Sequence, residues 1–395
     1  MAWIIASNRD IVDGVTRGLD GFGSCTEFQV PHKLKFGSFD SLVKNVDELT
    51  KVDSYVESVL RRLERQVSEM AAEKKKDVDL GVMIPGVGDT FRTLTVQQYL
   101  NGFRWEDKMY SRSASVSENA HRLLAAVQGL DEDIKGRTQE LADLKNKLTL
   151  ISKKDGGTLA QKDLIDVLTP DVVGKGDFVD TDHFKTLIVI LPRGGDKEFL
   201  SCYEKLAPFD PRSDLARQAG FPAVPQSMKQ FEVADKEGFT IWRVVVLRKA
   251  ADDFAHAARL RKAVVRDFPY SVEAYEKILQ ERCEVAALHD KKFGLLMALC
   301  TAAFSDAYIQ YVHVKAMRTF VECVLRYGIS KAGNTQFKAL AFHPGTNKKE
   351  ETIRQHLAKL MSPQFGEQYF AGKKDDTEEG EFHSYVSLNV TTSFA

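Results

Sequence analysis

The feature that most constrains this chain is a heptad seam. Positions 116, 120, 123, 127, 130, 134, 137, 141, 144, 148 and 151 hold Val, Ala, Leu, Val, Leu, Ile, Arg, Leu, Leu, Leu and Ile. The steps alternate between four and three, and only Arg137 is polar. A seam sustained over that length demands a long helix packed along a partner. It predicts a helix over Trp105–Ile151, about 70 Å long at helical rise. Gly129 and Gly136 weaken that helix by about 1 kcal/mol each relative to Ala.

Two further stretches can supply partners. Between Ser271 and His343 there is no proline. Positions 275, 279, 282, 286, 289, 293, 296, 300 and 303 repeat the alternation less cleanly, and Phe304–Tyr327 is apolar on most faces, as a helix buried in a globular body would be. Upstream, Leu42, Leu49, Val56, Leu63 and Met70 recur every seventh residue, beside a second row of Val46, Asp53, Leu60 and Val67 that breaks once, at Asp53. Ser38 or Asp40 can cap that helix. The glycine- and proline-bearing stretch Gly81–Gly88 reads as a loop.

Lys153–Pro269 has a different texture. Phe184–Leu191 reads as a strand, Asp196–Leu206 as a helix, Met228–Val233 and Phe239–Leu247 as a hairpin, and Asp252–Arg266 as a helix. Phe337–Phe342 and Tyr385–Val390 are short strands flanking a helix over Asn347–Met361. The expected fold class is α+β, predominantly α-helical and elongated. Both termini (1–104 and 301–395) form a foot, two antiparallel helices (105–152 and 270–300) a neck, and residues 153–269 an inserted α/β head.

The balance of 55 Lys and Arg against 56 Asp and Glu argues against a nucleic-acid binder that relies on overall positive charge. No apolar run reaches the roughly 18 residues of a membrane helix, and no basic leader with a long apolar segment opens the chain. Five cysteines without a C-x-x-C pair suit a reducing cytosol. No phosphate-binding loop, zinc-protease motif or nucleophile elbow is present, so no catalytic, cofactor or metal residue is expected. His313 reads as a core or interface histidine. One charge cluster stands out. Arg243, Arg248, Lys249, Arg259, Arg261, Lys262 and Arg266 face only Asp252 and Asp253, for a net of +5 between Phe239 and Arg266. It is a solvated helix face or a docking surface for an acidic helical partner. The few interleaved aromatics speak against nucleic acid.

Lys315–Gly328 reads K-A-M-R-T-F-V-E-C-V-L-R-Y-G, preceded by His313-Val314. This resembles the signature near the C-terminus of the C subunit family of the vacuolar-type proton-translocating ATPase (V-ATPase). The likeness continues in order through Trp3–Ser7, Phe39–Val43, Asp47–Asp53, Phe103-Arg104-Trp105, Asp177-Phe178-Val179, Val189–Pro192, Tyr203–Leu206, Val224–Ser227 and Val265–Phe268. The chain departs from the family pattern at Ile329-Ser330, where Leu-Pro is usual. The resemblance implies a non-catalytic stator component that links peripheral stalks of the E and G subunits to the N-terminal domain of the a subunit. It also implies reversible assembly, a place on the cytosolic face of vacuolar or other acidic-organelle membranes, no direct membrane insertion and, in some members, actin binding. A coiled-coil cytoskeletal adaptor that binds actin is the alternative. Lys315, Arg318, Glu322 and Arg326 lie at helical spacings that place them along one polar side, to brace the fold or to reach a partner.

Overall fold

The computed structural model describes residues 2–75, 78–86, 90–155, 159, 162–206, 222–233, 235, 237–329, 335–345, 350–361 and 385–392. In chain order its regular elements are β1 (Ala2–Asn8), α1 (Val12–Leu19), β2 (Gly23–Phe28), α2 (Phe39–Lys74), β3 (Val82–Pro85), β4 (Phe91–Leu94), α3 (Val96–Asn101), α4 (Val116–Asp155), α5 (Leu164–Val167), β5 (Phe184–Leu191), α6 (Asp196–Cys202), β6 (Lys229–Phe231), β7 (Thr240–Leu247), α7 (Ala251–Leu260), β8 (Val264–Asp267), α8 (Val272–Tyr327), β9 (Phe337–Pro344), α9 (Glu350–Met361) and β10 (Val386–Val390). The mixture of helix and sheet makes the chain α+β. The Cα framework divides into two units, one of residues 1–138 and 294–395, the other of residues 139–293. Helices α4 and α8 have residues in both.

In the first unit both chain ends meet in one antiparallel sheet, ordered β10-β1-β9-β2. Strand β1 pairs on both sides, Ile4 lying opposite Leu388 and Ala341. A strand buried on both faces must be apolar without alternation, and Ala2 to Ala6 are all buried. One face packs Trp3 and Ile5 against Val15 and Leu19 of α1 and against Ile353 and Leu357 of α9. On the backbone, Tyr327 of α8 donates its hydroxyl to the Ala6 carbonyl at 3.3 Å. Helix α2 starts where expected, with the Ser38 hydroxyl accepting from the Ser41 amide. It buries the rest of both rows of its seam, Asp53 included, while Val46 is only half-buried and Asn45 turns inward beside it.

Helix α4 keeps its seam but begins at Val116, not at Trp105. The reason is a capping box: the Ser115 hydroxyl accepts from the Glu118 amide at 3.1 Å, and the Glu118 carboxylate accepts from the Ser115 amide at 2.9 Å. Before it, Trp105 folds back and donates its ring N–H to the Tyr110 carbonyl at 2.9 Å. Every described seam residue of α4 is buried or half-buried except Arg137. Arg137 instead pairs along the surface with Asp133 at 2.9 Å, and Thr138 takes the inward place, accepting from Gln66 of α2.

Three other expectations change. The predicted seam of α8 is off by one at two places: Leu279 and Ala286 are exposed, and Ile278 and Val285 turn inward. Helices drift relative to a strict repeat, and a loose seam does not pin the register. The expected loop at Gly81–Gly88 contains β3, which pairs with β4 from Val82–Leu94 to Pro85–Phe91. A four-residue strand ending in proline gives too little alternation to read. Finally, the helix expected over Asp252–Arg266 stops at Leu260, and Val264–Asp267 pairs with β5 as β8.

Among the described residues one helix, α8, is long and apolar enough by length and composition to cross a membrane, although no uninterrupted apolar run in it reaches that length. Of its most apolar 18-residue window, 56% is buried inside the protein, as in a core helix.

The second unit holds the sheet β6-β7-β5-β8. Its centre, β5, again lacks alternation because both faces are covered. Leu187, Val189 and Leu191 pack with Phe199 of α6 and with Phe254 and Ala258 of α7. Ile188 and Ile190 pack with Leu164 and Val167 of α5.

Candidate functional site

The signature helix segment Lys315–Gly328 is interior to the first unit. Val314, Ala316, Met317, Phe320, Val321 and Cys323 are all buried. Its charges therefore need partners, because a lone ion in an apolar interior is prohibitively costly. The partner is Asp53, the polar break in the α2 seam. Lys315 donates to Asp53 Oδ2 at 2.8 Å and Arg318 to the same oxygen at 2.5 Å, while the other Arg318 nitrogen reaches Glu322 at 3.3 Å. Lys315 and Asp53 are 4% and 3% exposed. The Lys315 ammonium also lies 4.8 Å from the centre of the Tyr311 ring.

Burial pulls the Lys315 pKa below its ordinary value, and the Asp53 charge works against that. Burial pushes the Glu322 carboxyl up, opposed by the Arg318 and Arg326 charges. The network extends outward: Tyr311 Oη accepts from the Thr391 amide at 3.2 Å, Thr391 donates to Glu57 at 3.1 Å, and Arg61 pairs with Glu57 at 2.6 Å. It thus ties α2, α8 and the residue that follows β10. Lys315 and Arg318 face inward and Glu322 and Arg326 are half-buried, so the geometry of the first pair is that of a brace.

His313 is fully buried in a cage of Phe103, Trp105 and Tyr110, at centroid distances of 5.0, 5.2 and 5.1 Å. Its Nδ1 donates to the Ile309 carbonyl at 2.7 Å and its Nε2 accepts from the Glu106 amide at 3.4 Å. Both nitrogens are used by the neutral ring, and burial pushes its pKa down to about 4. Among the described residues no three His, Cys, Asp or Glu are placed to hold a metal ion.

In the second unit the seven basic residues separate by role. Arg243 lies 3.1 Å from Asp177, a carboxylate that also takes Lys229 at 2.8 Å. Arg248 pairs with Asp180 and with the Thr181 carbonyl, and Arg266 donates to the Lys162 carbonyl. Arg261 comes only to 3.9 Å from Glu198 and donates to Cys202 Sγ. Lys249, Arg259 and Lys262 are exposed and have no ion-pair partner among the described residues.

Lys262 also ends α7 in the left-handed region, φ 63°. The Ala263 amide reaches back to the Ala258 carbonyl and the Lys262 amide to Arg259, the double bond of a Schellman cap. Glycine usually fills that place, since a side chain there costs about 1–2 kcal/mol. Sequence reasoning found the basic stretch but not its counter-ions Asp177 and Asp180, which lie far back in the chain. Asp53 was visible as a broken seam, the one signal that could have named it.

These arrangements define a helical, sheet-bearing protein in which Lys315 and Arg318 are paired inside on Asp53 and Lys249, Arg259, Arg261 and Lys262 are exposed. The family model for the V-ATPase C subunit matches residues 6–392. The V-type proton ATPase C subunit of Dictyostelium discoideum is 30% identical over 98% of this chain and 97% of its own length. The Arabidopsis thaliana protein of the same description is 29% identical over 92% and 89%. The first of the numbered C subunits of the Bos taurus V-type proton ATPase is 31% identical over 85% and 79%. The chain belongs to the V-ATPase C subunit family.

Proposed function

We propose that this protein is a non-catalytic stator component of a proton-transporting V-ATPase, peripheral on the cytosolic face of vacuolar or other acidic-organelle membranes. In this reading the unit of residues 139–293 holds a peripheral stalk of the E and G subunits. The unit containing both chain ends meets the N-terminal domain of the a subunit and a further stalk. The observation that carries it is the family match over 6–392, nearly the whole chain. The unpaired Lys249, Arg259 and Lys262 support the stalk contact, because a cationic surface steers an acidic helical partner and pairs at its rim. Two docking units on one chain support reversible assembly: once one is bound, the other meets its partner at raised effective concentration, so individually weak contacts suffice.

The test is titration calorimetry of the full-length protein against the purified E–G heterodimer at low and high salt. Exposed pairs are screened beyond about 8–10 Å near physiological ionic strength, so affinity should fall as salt rises. The triple change Arg259→Glu, Arg261→Glu and Lys262→Glu should slow association. Absence of binding to the heterodimer would overturn the stalk role. Tight binding indifferent to salt and to the three reversals would move the contact to another surface.

A further inference from the structure

The last turn of α7 presents an apolar side chain that the fold does not use. Leu260 is 77% exposed, the most exposed of the large apolar side chains among the described residues. It takes no part in the cap that ends the helix. A Schellman cap closes on an apolar contact between its outer residue and the last turn. Here Ala263 and Ala258 fill those two places, both buried in one core cluster. The bonds from the Ala263 amide to Ala258 at 3.1 Å and from the Lys262 amide to Arg259 at 3.0 Å fix the turn. Strand β8 follows directly as an edge of its sheet, and its first residue, Val264, is 37% exposed. The charges on either side of Leu260 in the chain are cationic. Arg261 is offset by Glu198 at 3.9 Å, but Arg259 and Lys262 are exposed and have no ion-pair partner among the described residues. Asp252 and Asp253 lie in the first turn, at the opposite end of the helix. Lys262, at φ 63°, keeps a cation beside Leu260 at a cost in backbone strain that glycine would avoid.

We propose that Leu260 is the anchor of the stalk contact. It enters an apolar position on an acidic amphipathic helix of the partner, whose carboxylates meet Arg259 and Lys262. The inference rests on the stalk role proposed above and adds the residue that carries the affinity. Exposed cations steer the encounter and set its salt dependence, but their pairs at a wet rim add little to the bound state. Removing an exposed leucine from water adds to it at any ionic strength. The cap and the strand after it already hold the turn, so little conformational freedom is lost on docking. A partner with acidic groups alone would meet the cations and leave Leu260 in water, which is why the occupant must be amphipathic.

The experiment follows the binding kinetics of the full-length protein on the immobilised E–G heterodimer at low and high salt. Leu260→Ala should raise Kd about tenfold, nearly all of it as faster dissociation and equally at both salts. Leu260→Met should keep most of the affinity. Leu288→Ala, which removes another exposed leucine of the second unit, should change nothing. Arg259→Glu with Lys262→Glu should slow association, by less as salt rises. Lys262→Gly should slow association and raise the melting temperature. Leu260→Ala should melt as the native protein does, which separates a lost contact from a lost fold. The two ways of failing are distinct. A heterodimer that binds the native protein and Leu260→Ala alike overturns the anchor and leaves the stalk role standing. A heterodimer that binds neither overturns the stalk role, and the anchor with it.

Discussion

At the scale of single residues, the two buried ionisable centres of the signature helix behave oppositely. Asp53 satisfies two cations at once, so Asp53→Asn leaves Lys315 and Arg318 uncompensated in an apolar interior. We expect a loss of about 3–5 kcal/mol in urea unfolding. Replacing Asp53 and Lys315 together by Leu and Met should recover much of it, since the penalty belongs to the unpaired charge. His313 is held neutral. The unfolded chain takes up a proton below about pH 6.5, whereas the folded ring does so only near pH 4. Its contribution to stability is therefore complete above about 6.5 and is lost as pH falls toward 4, at about 1.4 kcal/mol per unit. Unfolding midpoints at pH 7 and pH 5 should differ by about 2 kcal/mol more in the native protein than in His313→Phe. An equal difference in both would place the acid sensitivity elsewhere.

At the scale of elements, start and stop signals decided what periodicity could not. The α4 seam is visible from composition alone, but its beginning depends on Ser115 and Glu118 closing a box over the first turn. Ser115→Ala should cost about 1 kcal/mol, read as a lower urea midpoint with an unchanged slope, and should leave the buried seam intact. The end of α7 shows the converse. Residues 252–266 carry helical spacing, yet Lys262 turns left-handed and Val264-Val265 joins a sheet, because β-branched residues beside an open edge of β5 gain more from the ladder than from another turn. At the end of α8 glycine takes the left-handed place: Gly328 has φ +70° and its amide reaches the Val324 carbonyl at 3.0 Å.

At the scale of the whole molecule, the five free thiols report on burial in both units. Cys283 is exposed and Cys202 half-buried, both in residues 139–293. Cys300 and Cys323 are buried, and Cys25 half-buried, in the other unit. Burial pushes the Cys25 and Cys300 thiols up to about 11 and the Cys323 thiol well above its ordinary value. At pH 8 a disulfide-exchange reagent should modify Cys283 fastest and Cys202 next, with Cys25, Cys300 and Cys323 protected. Mass mapping over time checks the order. Loss of that protection in mild urea, before the second unit unfolds, would show that the first unit opens separately.

How much was legible divides along physical lines. The α+β class, the long helices α2, α4 and α8, strands β5 and β9, and the family motif were readable because each rests on local periodicity or on a contiguous run. Apolar residues repeating every three or four positions line one face of a helix, and a short continuous apolar run with β-branched residues suits a strand covered on both faces. The basic stretch was readable for the same reason, being contiguous. Its sorting into braced and free cations was not. Asp177 and Asp180 reach Arg243 and Arg248 across more than sixty residues of chain, and sequence distance says nothing about that. Short elements such as β3 and α5 were lost because four residues carry too little pattern. The exposure of Leu260 was invisible in principle. A helix continued to Arg266 would lay Val264 one turn beyond Leu260 on the same face. Only the pairing of β8 with β5, set by packing over the whole sheet, stops the helix there and leaves that leucine in water.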